Sequence, residues 1–185
     1  MESKKSLRQE IRGKLAQLSP SARKRKSRVI LKKLLALSAY RKARTVCFFV
    51  GMTTEVDTRP MIRHALDQGK RVLLPLVNLE NKALKLYEVR NLGKDLVKGP
   101  LGILEPDLKK TKPFSPKKAD CVLVPGLAFD KKNRRLGRGA GFYDRFLKKL
   151  KASTPRIGLA FSFQVVPEVP HEKHDVFLNK VLTEK

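Results

Sequence analysis

Apolar residues recur along this chain in two rhythms, and the alternation between them predicts its layout. Leu7, Ile11, Leu15 and Leu18 repeat at near-helical spacing, so residues 4–18 are expected to form a helix with one apolar stripe. Ser19 and Pro20 open a second helix, as N-cap and first-turn residue, that runs to about Leu37. TVCFFV, residues 45–50, reads as a buried strand. Thr58 is expected to cap a helix that continues through Asp67 and closes at Gly69. RVLLPLV, residues 71–77, is a second buried strand, in which Pro75 predicts an edge or an end. Residues 83–89 alternate apolar with polar and pair back on it through a turn at 78–82. Residues 90–116, rich in Gly, Pro and Lys around a short LGIL, read as one long connecting loop. Residues 120–125, 156–161 and 177–183 supply three further strands. Tyr143, Phe146, Leu147 and Leu150 mark one more helix face.

Apolar strands alternating with helices predict an α/β fold: a three-layer sandwich with a mainly parallel, mixed sheet flanked by helices. It would be Rossmann-like without the dinucleotide fingerprint. One domain over residues 1–185 is expected, with the N-terminal helical segment 1–40 packed on it.

Composition changes this picture in two ways. Forty-two Lys and Arg against 17 Asp and Glu give a net charge of +25. That excess suits nucleic acid, an anionic membrane surface or a polyanionic small molecule, or else forms a solvated lysine face with no partner. No run of about 18 apolar residues occurs, so no membrane span is expected. Cys47 and Cys121 lie in strand-like runs without a CxxC pattern, which predicts buried free thiols in a reducing compartment. The charged N-terminus lacks an apolar signal core, and a cytoplasmic location is expected.

The candidate chemistry gathers on NRRLGRGAGFYDRFLKKL, residues 133–150. A strand, a glycine-rich loop and a helix in succession present backbone N–H groups to an anion, with Arg135 and Arg138 adding charge. No Gly-Lys-Ser/Thr closes the loop, so it is not a P-loop, and Phe142 stands where a dinucleotide fingerprint needs its third glycine. Ala140 replaces an aromatic in the RNA-recognition signature that RGAGFYDRF approaches. Lys4 and Arg8, one turn apart, could grip an anion or stand as solvated charges. Glu55, beyond the first strand, reads equally as a ligand contact or as a carboxylate near a helix start. Asp144 could favour its helix dipole, pair with Lys148, or hold Mg2+ with Asp175. HEKH, residues 171–174, has its histidines three apart beside two prolines, which argues against a zinc helix.

LVPGLAFD, NRRLGRGAGFYDRFL, LAFSFQ and HDV, with KKSLR and FFVGMTTEVDT, occur in one order over most of the chain. Together they resemble the 5-formyltetrahydrofolate cyclo-ligase family, also called 5,10-methenyltetrahydrofolate synthetases. The resemblance implies MgATP-driven conversion of 5-formyltetrahydrofolate to 5,10-methenyltetrahydrofolate, with release of ADP and phosphate. It implies ATP contacts by Lys4, Lys5, Ser6, Leu7 and Arg8 and by Arg135, Leu136, Gly137, Arg138, Gly139, Ala140, Gly141, Phe142 and Tyr143. It implies folate contacts by Val50, Glu55 and Arg138 through Phe142, Mg2+ on Asp144 and Asp175, and catalytic roles for Arg138 and Tyr143. The expected partner is the folate, with or without a polyglutamate tail, bound by a monomer. No specific nucleic acid is expected, because the basic residues lack interleaved aromatics. The chain departs from the family at Ala140, where relatives often carry Gly or Lys, and at Phe142, where Tyr is common.

Overall fold

A computed structural model describes residues 3–99, 102–172 and 175–185. Ser3 caps α1 (Lys4–Ala16), its hydroxyl accepting from Ser6 N–H, and Ser19 caps α2 (Pro20–Ala36) through Ala22 N–H. A short α3 (Ser38–Lys42) leads into β1 (Thr45–Cys47), α4 (Arg59–Asp67), β2 (Arg71–Asn78) and β3 (Ala83–Val89). Then come β4 (Leu96–Lys98), β5 (Leu104–Pro106), β6 (Lys112–Phe114), β7 (Cys121–Val124), β8 (Ala128–Phe129) and β9 (Arg135–Leu136). The chain ends with α5 (Phe142–Leu147), β10 (Arg156–Leu159) and β11 (Lys180–Leu182).

Seven strands form one sheet in the order β11-β10-β7-β1-β2-β3-β6. The five from β11 to β2 run parallel, and β3 and β6 add antiparallel at one edge. Side chains alternate between two cores, as a two-residue strand period requires. Val46, Val72, Cys121 and Ile157 join Leu7, Ile11, Ile30, Leu34 and Ile62 on the face covered by α1, α2 and α4. Cys47, Leu73 and Val122 join Phe146 and Leu147 of α5 on the other. The mixed three-layer α/β expectation therefore holds.

Several local expectations change. The loop at 90–116 carries the β4–β5 hairpin and strand β6, so part of it is ordered by pairing. Pro75 lies mid-strand in β2, an interior strand of the sheet, rather than at an edge or an end. Leu73 accepts from Phe48 N–H and Arg71 donates to Arg44, so the odd-numbered residues of β2 face β1. β1 pairs only as far as Leu73, and the missing N–H of Pro75 therefore faces a position beyond the β1 ladder. The helix after the glycine loop ends at Leu147 rather than Leu150, β1 is three residues long, and β11 spans only 180–182. Val29 of α2, although apolar, is exposed. Among the described residues no helix is long and apolar enough to cross a membrane.

Candidate active site

The sheet changes direction at β1: the chain passes from β1 to β2 on one side and later returns to β7 on the other. Such a switch point leaves a crevice at the carboxyl ends of the two strands. The loops leaving β1 and β7 meet there around a cavity of about 470 Å3.

The first wall is the loop after β1. Thr58 does not cap α4; its hydroxyl donates to Phe49 O at 2.5 Å and accepts from Gly51 N–H at 3.0 Å, closing the loop on itself. Gly51 has to be glycine, because a Cβ there would lie 2.1 Å from Val56 O. Arg23 of α2 fastens the same loop, donating to Met52 O and Glu55 O. One cation of α2 thus has a structural task that its sequence position did not announce. Val50 and Glu55 face the cavity as a result.

The second wall is the glycine loop between β9 and α5. Gly139 and Gly141 take φ of +115° and +67°, which L side chains rarely adopt. Ala140 is not among the positive-φ positions, so its Cβ is accommodated. The N–H groups of Arg138, Gly139, Ala140 and Gly141 donate to nothing among the described residues. Four consecutive unpaired amides form an anion-binding concavity. The helix that follows has only six residues, so its dipole is a minor addition.

Charge is distributed unevenly. Lys4 pairs with Glu172 at 2.8 Å and Asp175 at 3.0 Å. Burial opposes its charge, but these two carboxylates outweigh that and raise its pKa. Arg138 pairs with Glu55, whose other oxygen accepts from Met52 N–H. Arg135 donates to Asp144 at 2.7 Å and lies 5.7 Å from the centre of the Tyr143 ring. Asp144 therefore pairs with Arg135, not with Lys148. Arg8 differs from these: its Nε donates to Gly137 O at 3.0 Å, and no carboxylate pairs with it among the described residues. A lining cation beside unpaired amides is a phosphate site in chemical terms. Burial, and less so Cys47 and Glu55, hold the Tyr143 phenol well above its ordinary 10, so it remains an O–H group.

Lys4, Arg8, Val50, Glu55, Arg135 through Asp144, and Asp175 all line the cavity. Lys5, Ser6 and Leu7 do not. Leu7 is 1% exposed and packs in the core beneath α1, and Ser6 is engaged with Ser3. Three residues in the first turn of one helix cannot all face one side. The HEKH segment divides similarly: Glu172 lines the cavity, His171 Nδ1 accepts from Arg134 Nη1 at 3.1 Å, and His174 lies outside the described residues. Among the described residues no three His, Cys, Asp or Glu side chains gather as a metal cage.

Sequence reasoning missed the apolar end. Pro75 and Val77 of β2, Leu84 of β3, and Ile103, Leu104 and Glu105 around β5 line it. The LGIL stretch followed by Glu-Pro inside an otherwise polar segment was the available signal.

Comparison with known proteins supplies the relationship. The model of the 5-formyltetrahydrofolate cyclo-ligase family matches residues 1–184. The 5-formyltetrahydrofolate cyclo-ligase of Mus musculus is 30% identical over 98% of this chain and 94% of its own length. That of Escherichia coli K12 is 35% identical over 76% of this chain and 78% of its own. The NMR structure of Aquifex aeolicus 5,10-methenyltetrahydrofolate synthetase superimposes with a TM-score of 0.85 at 34% identity, covering 98% of this chain and 90% of that one. A synthetase from Mycoplasma pneumoniae gives 0.81 at 26% identity over the whole of both chains. This chain belongs to the 5-formyltetrahydrofolate cyclo-ligase family.

Proposed function

We propose that this protein uses ATP to cyclise 5-formyltetrahydrofolate to 5,10-methenyltetrahydrofolate, releasing ADP and phosphate. Family membership supports this reading. The observation that carries it is the run of unpaired amides from Arg138 to Gly141 beside Arg8, in a cavity whose other end is apolar. A polyphosphate and a flat ring system therefore have adjoining places.

The formyl oxygen attacks the γ-phosphorus of ATP, and the bond from that phosphorus to the ADP oxygen breaks. The folate N10 then attacks the activated formyl carbon and closes the ring. The carbon–oxygen bond breaks as phosphate departs with its electron pair, and the N10 proton is lost to the medium. An amide-like oxygen leaves poorly until it is phosphorylated, so the protein's work is positioning and charge stabilisation. Arg8, Lys4, Arg135 and the loop amides bind the ATP phosphates; Lys5, Ser6 and Leu7 build the helical turn that presents Lys4 and Arg8. Arg138 stabilises charge developing on the transferred group. Tyr143, a neutral phenol, serves as a hydrogen-bond donor rather than a base. Val50 and Glu55 hold the folate.

Asp144 and Asp175 are the carboxylates we assign to Mg2+. Mg2+ needs only one or two protein carboxylates when phosphates and waters complete its shell, so the absence of a three-residue cage among the described residues is compatible with it. Asp144 has one oxygen on Arg135 and a second that accepts no hydrogen bond among the described residues. Bound there, Mg2+ would neutralise phosphate charge. On this reading the protein acts as a monomer. The surplus positive charge suits a polyglutamate tail, and the two buried free thiols suit the cytoplasm. ADP release that requires 5-formyltetrahydrofolate tests the reading; ATP hydrolysis indifferent to the folate would contradict it.

A further inference from the structure

Glu105 is a buried carboxylate with one oxygen that no donor among the described residues satisfies. It is 5% exposed, lies on β5, and lines the apolar end of the cavity. Its Oε1 is buried with no hydrogen-bond partner, and no cation pairs with it among the described residues. The place is a consequence of the sheet. β2 runs on past the end of β1, and the hairpin carrying Glu105 packs there. Pro75 has no N–H to give on that side, and Val77 N–H is the backbone donor that faces the carboxyl. Gly99 lets the carboxyl pack close, since a Cβ there would lie 2.4 Å from Oε2. Burial accordingly raises the carboxyl pKa from its ordinary 4.5, with Val77 N–H pulling weakly the other way.

A buried acceptor without a donor is costly in a folded protein and usually has a cause outside the fold. Resting on the folate reading above, we propose that Glu105 determines substrate specificity by accepting hydrogen bonds from the 2-amino and N3–H groups of the pterin. The 2-amino-4-oxo ring carries those two donors side by side, which matches the two oxygens of one carboxylate. Adenine carries an amino group flanked by ring acceptors and fits a carboxylate poorly. The surroundings agree: Val77, Leu84, Ile103 and Leu104 are apolar, and the cations that suit phosphates belong to α1 and the glycine loop. Glu55 cannot take this role without giving up Arg138 and Met52 N–H, whereas Glu105 has in Oε1 an oxygen that breaks no hydrogen bond among the described residues.

The test compares 5-formyltetrahydrofolate with its 2-desamino-2-methyl analogue. The wild-type protein should prefer the natural substrate by about 10- to 100-fold in kcat/KM, the cost of leaving a buried acceptor unpaired. Glu105→Gln and Glu105→Leu should lose most of that preference through a raised folate KM, while ADP affinity stays within about twofold. Both variants should melt no lower than wild type, because a structural carboxylate would be missed and this one is not. A wild-type protein that does not discriminate between the two substrates overturns the proposal without reference to any variant, as does an unchanged preference in a folded Glu105→Gln. No turnover of 5-formyltetrahydrofolate by the wild type would instead overturn the cyclo-ligase reading itself.

Discussion

Arg138 reaches from the glycine loop to Glu55 in the loop after β1, its Nη2 donating to Oε1 at 2.8 Å. The pair joins the loop assigned to phosphates to the one assigned to folate. Arg138 is 42% exposed, so the ion pair adds less than about 1 kcal/mol to stability. Its value lies in orientation. Glu55→Gln should leave thermal unfolding within a degree or two, yet lower kcat/KM for the folate about 10- to 100-fold by releasing Arg138. Steady-state kinetics beside a melting curve checks this.

Leu7 and Arg8 are neighbours with opposite assignments. Leu7→Ala should cost about 2–5 kcal/mol of stability, because a buried side chain is removed beneath α1. Arg8→Ala should leave stability nearly unchanged and raise the KM for ATP about 10- to 100-fold, since the one lining cation without a carboxylate among the described residues is lost. Urea denaturation and ATP titration of both variants separate the two effects.

Asp144→Asn keeps the shape of the side chain and its contact with Arg135. It should weaken Mn2+ binding in the presence of ADP, read by electron paramagnetic resonance, and cut kcat by about 10²- to 10³-fold. Unchanged Mn2+ affinity together with unchanged kinetics would overturn the assignment of Asp144 to Mg2+.

Asp130 supports the site from behind. It accepts from Lys132 N–H, Arg134 N–H, the Arg134 guanidinium and Val169 N–H, tying the turn between β8 and β9 to the 165–171 segment. Burial pushes its pKa up, but these hydrogen bonds outweigh that and leave it below the ordinary 3.8. A depressed carboxylate contributes stability above its unfolded value and loses it as pH falls through the folded value. Asp130→Asn should therefore be less stable than wild type at neutral pH, and the gap should narrow below about pH 3.8. Denaturant titrations at several pH values test the sign.

Much of this was legible in the sequence because periodicity and caps are local. Ser19-Pro20, the Leu7–Ile11–Leu15 stripe and the TVCFFV and CVLV runs state their elements without tertiary context. What escaped depends on distant partners. Pro75 is tolerated only because β1 stops at the level of Leu73, and Thr58 turns from cap to clasp because Phe49 O and Gly51 N–H are within reach. The cationic half of the site could be read because glycines and arginines cluster in one stretch. The apolar half could not, since Pro75, Leu84 and Ile103 come together only when the hairpin folds against β2.

The central claim is a single reaction, and its product can be seen directly. Purified protein mixed with 5-formyltetrahydrofolate and MgATP should give a steady rise in methenyltetrahydrofolate absorbance, one ADP for each product formed, and none when ATP or the folate is left out. Absence of that absorbance with folded protein in excess over substrate would contradict the account.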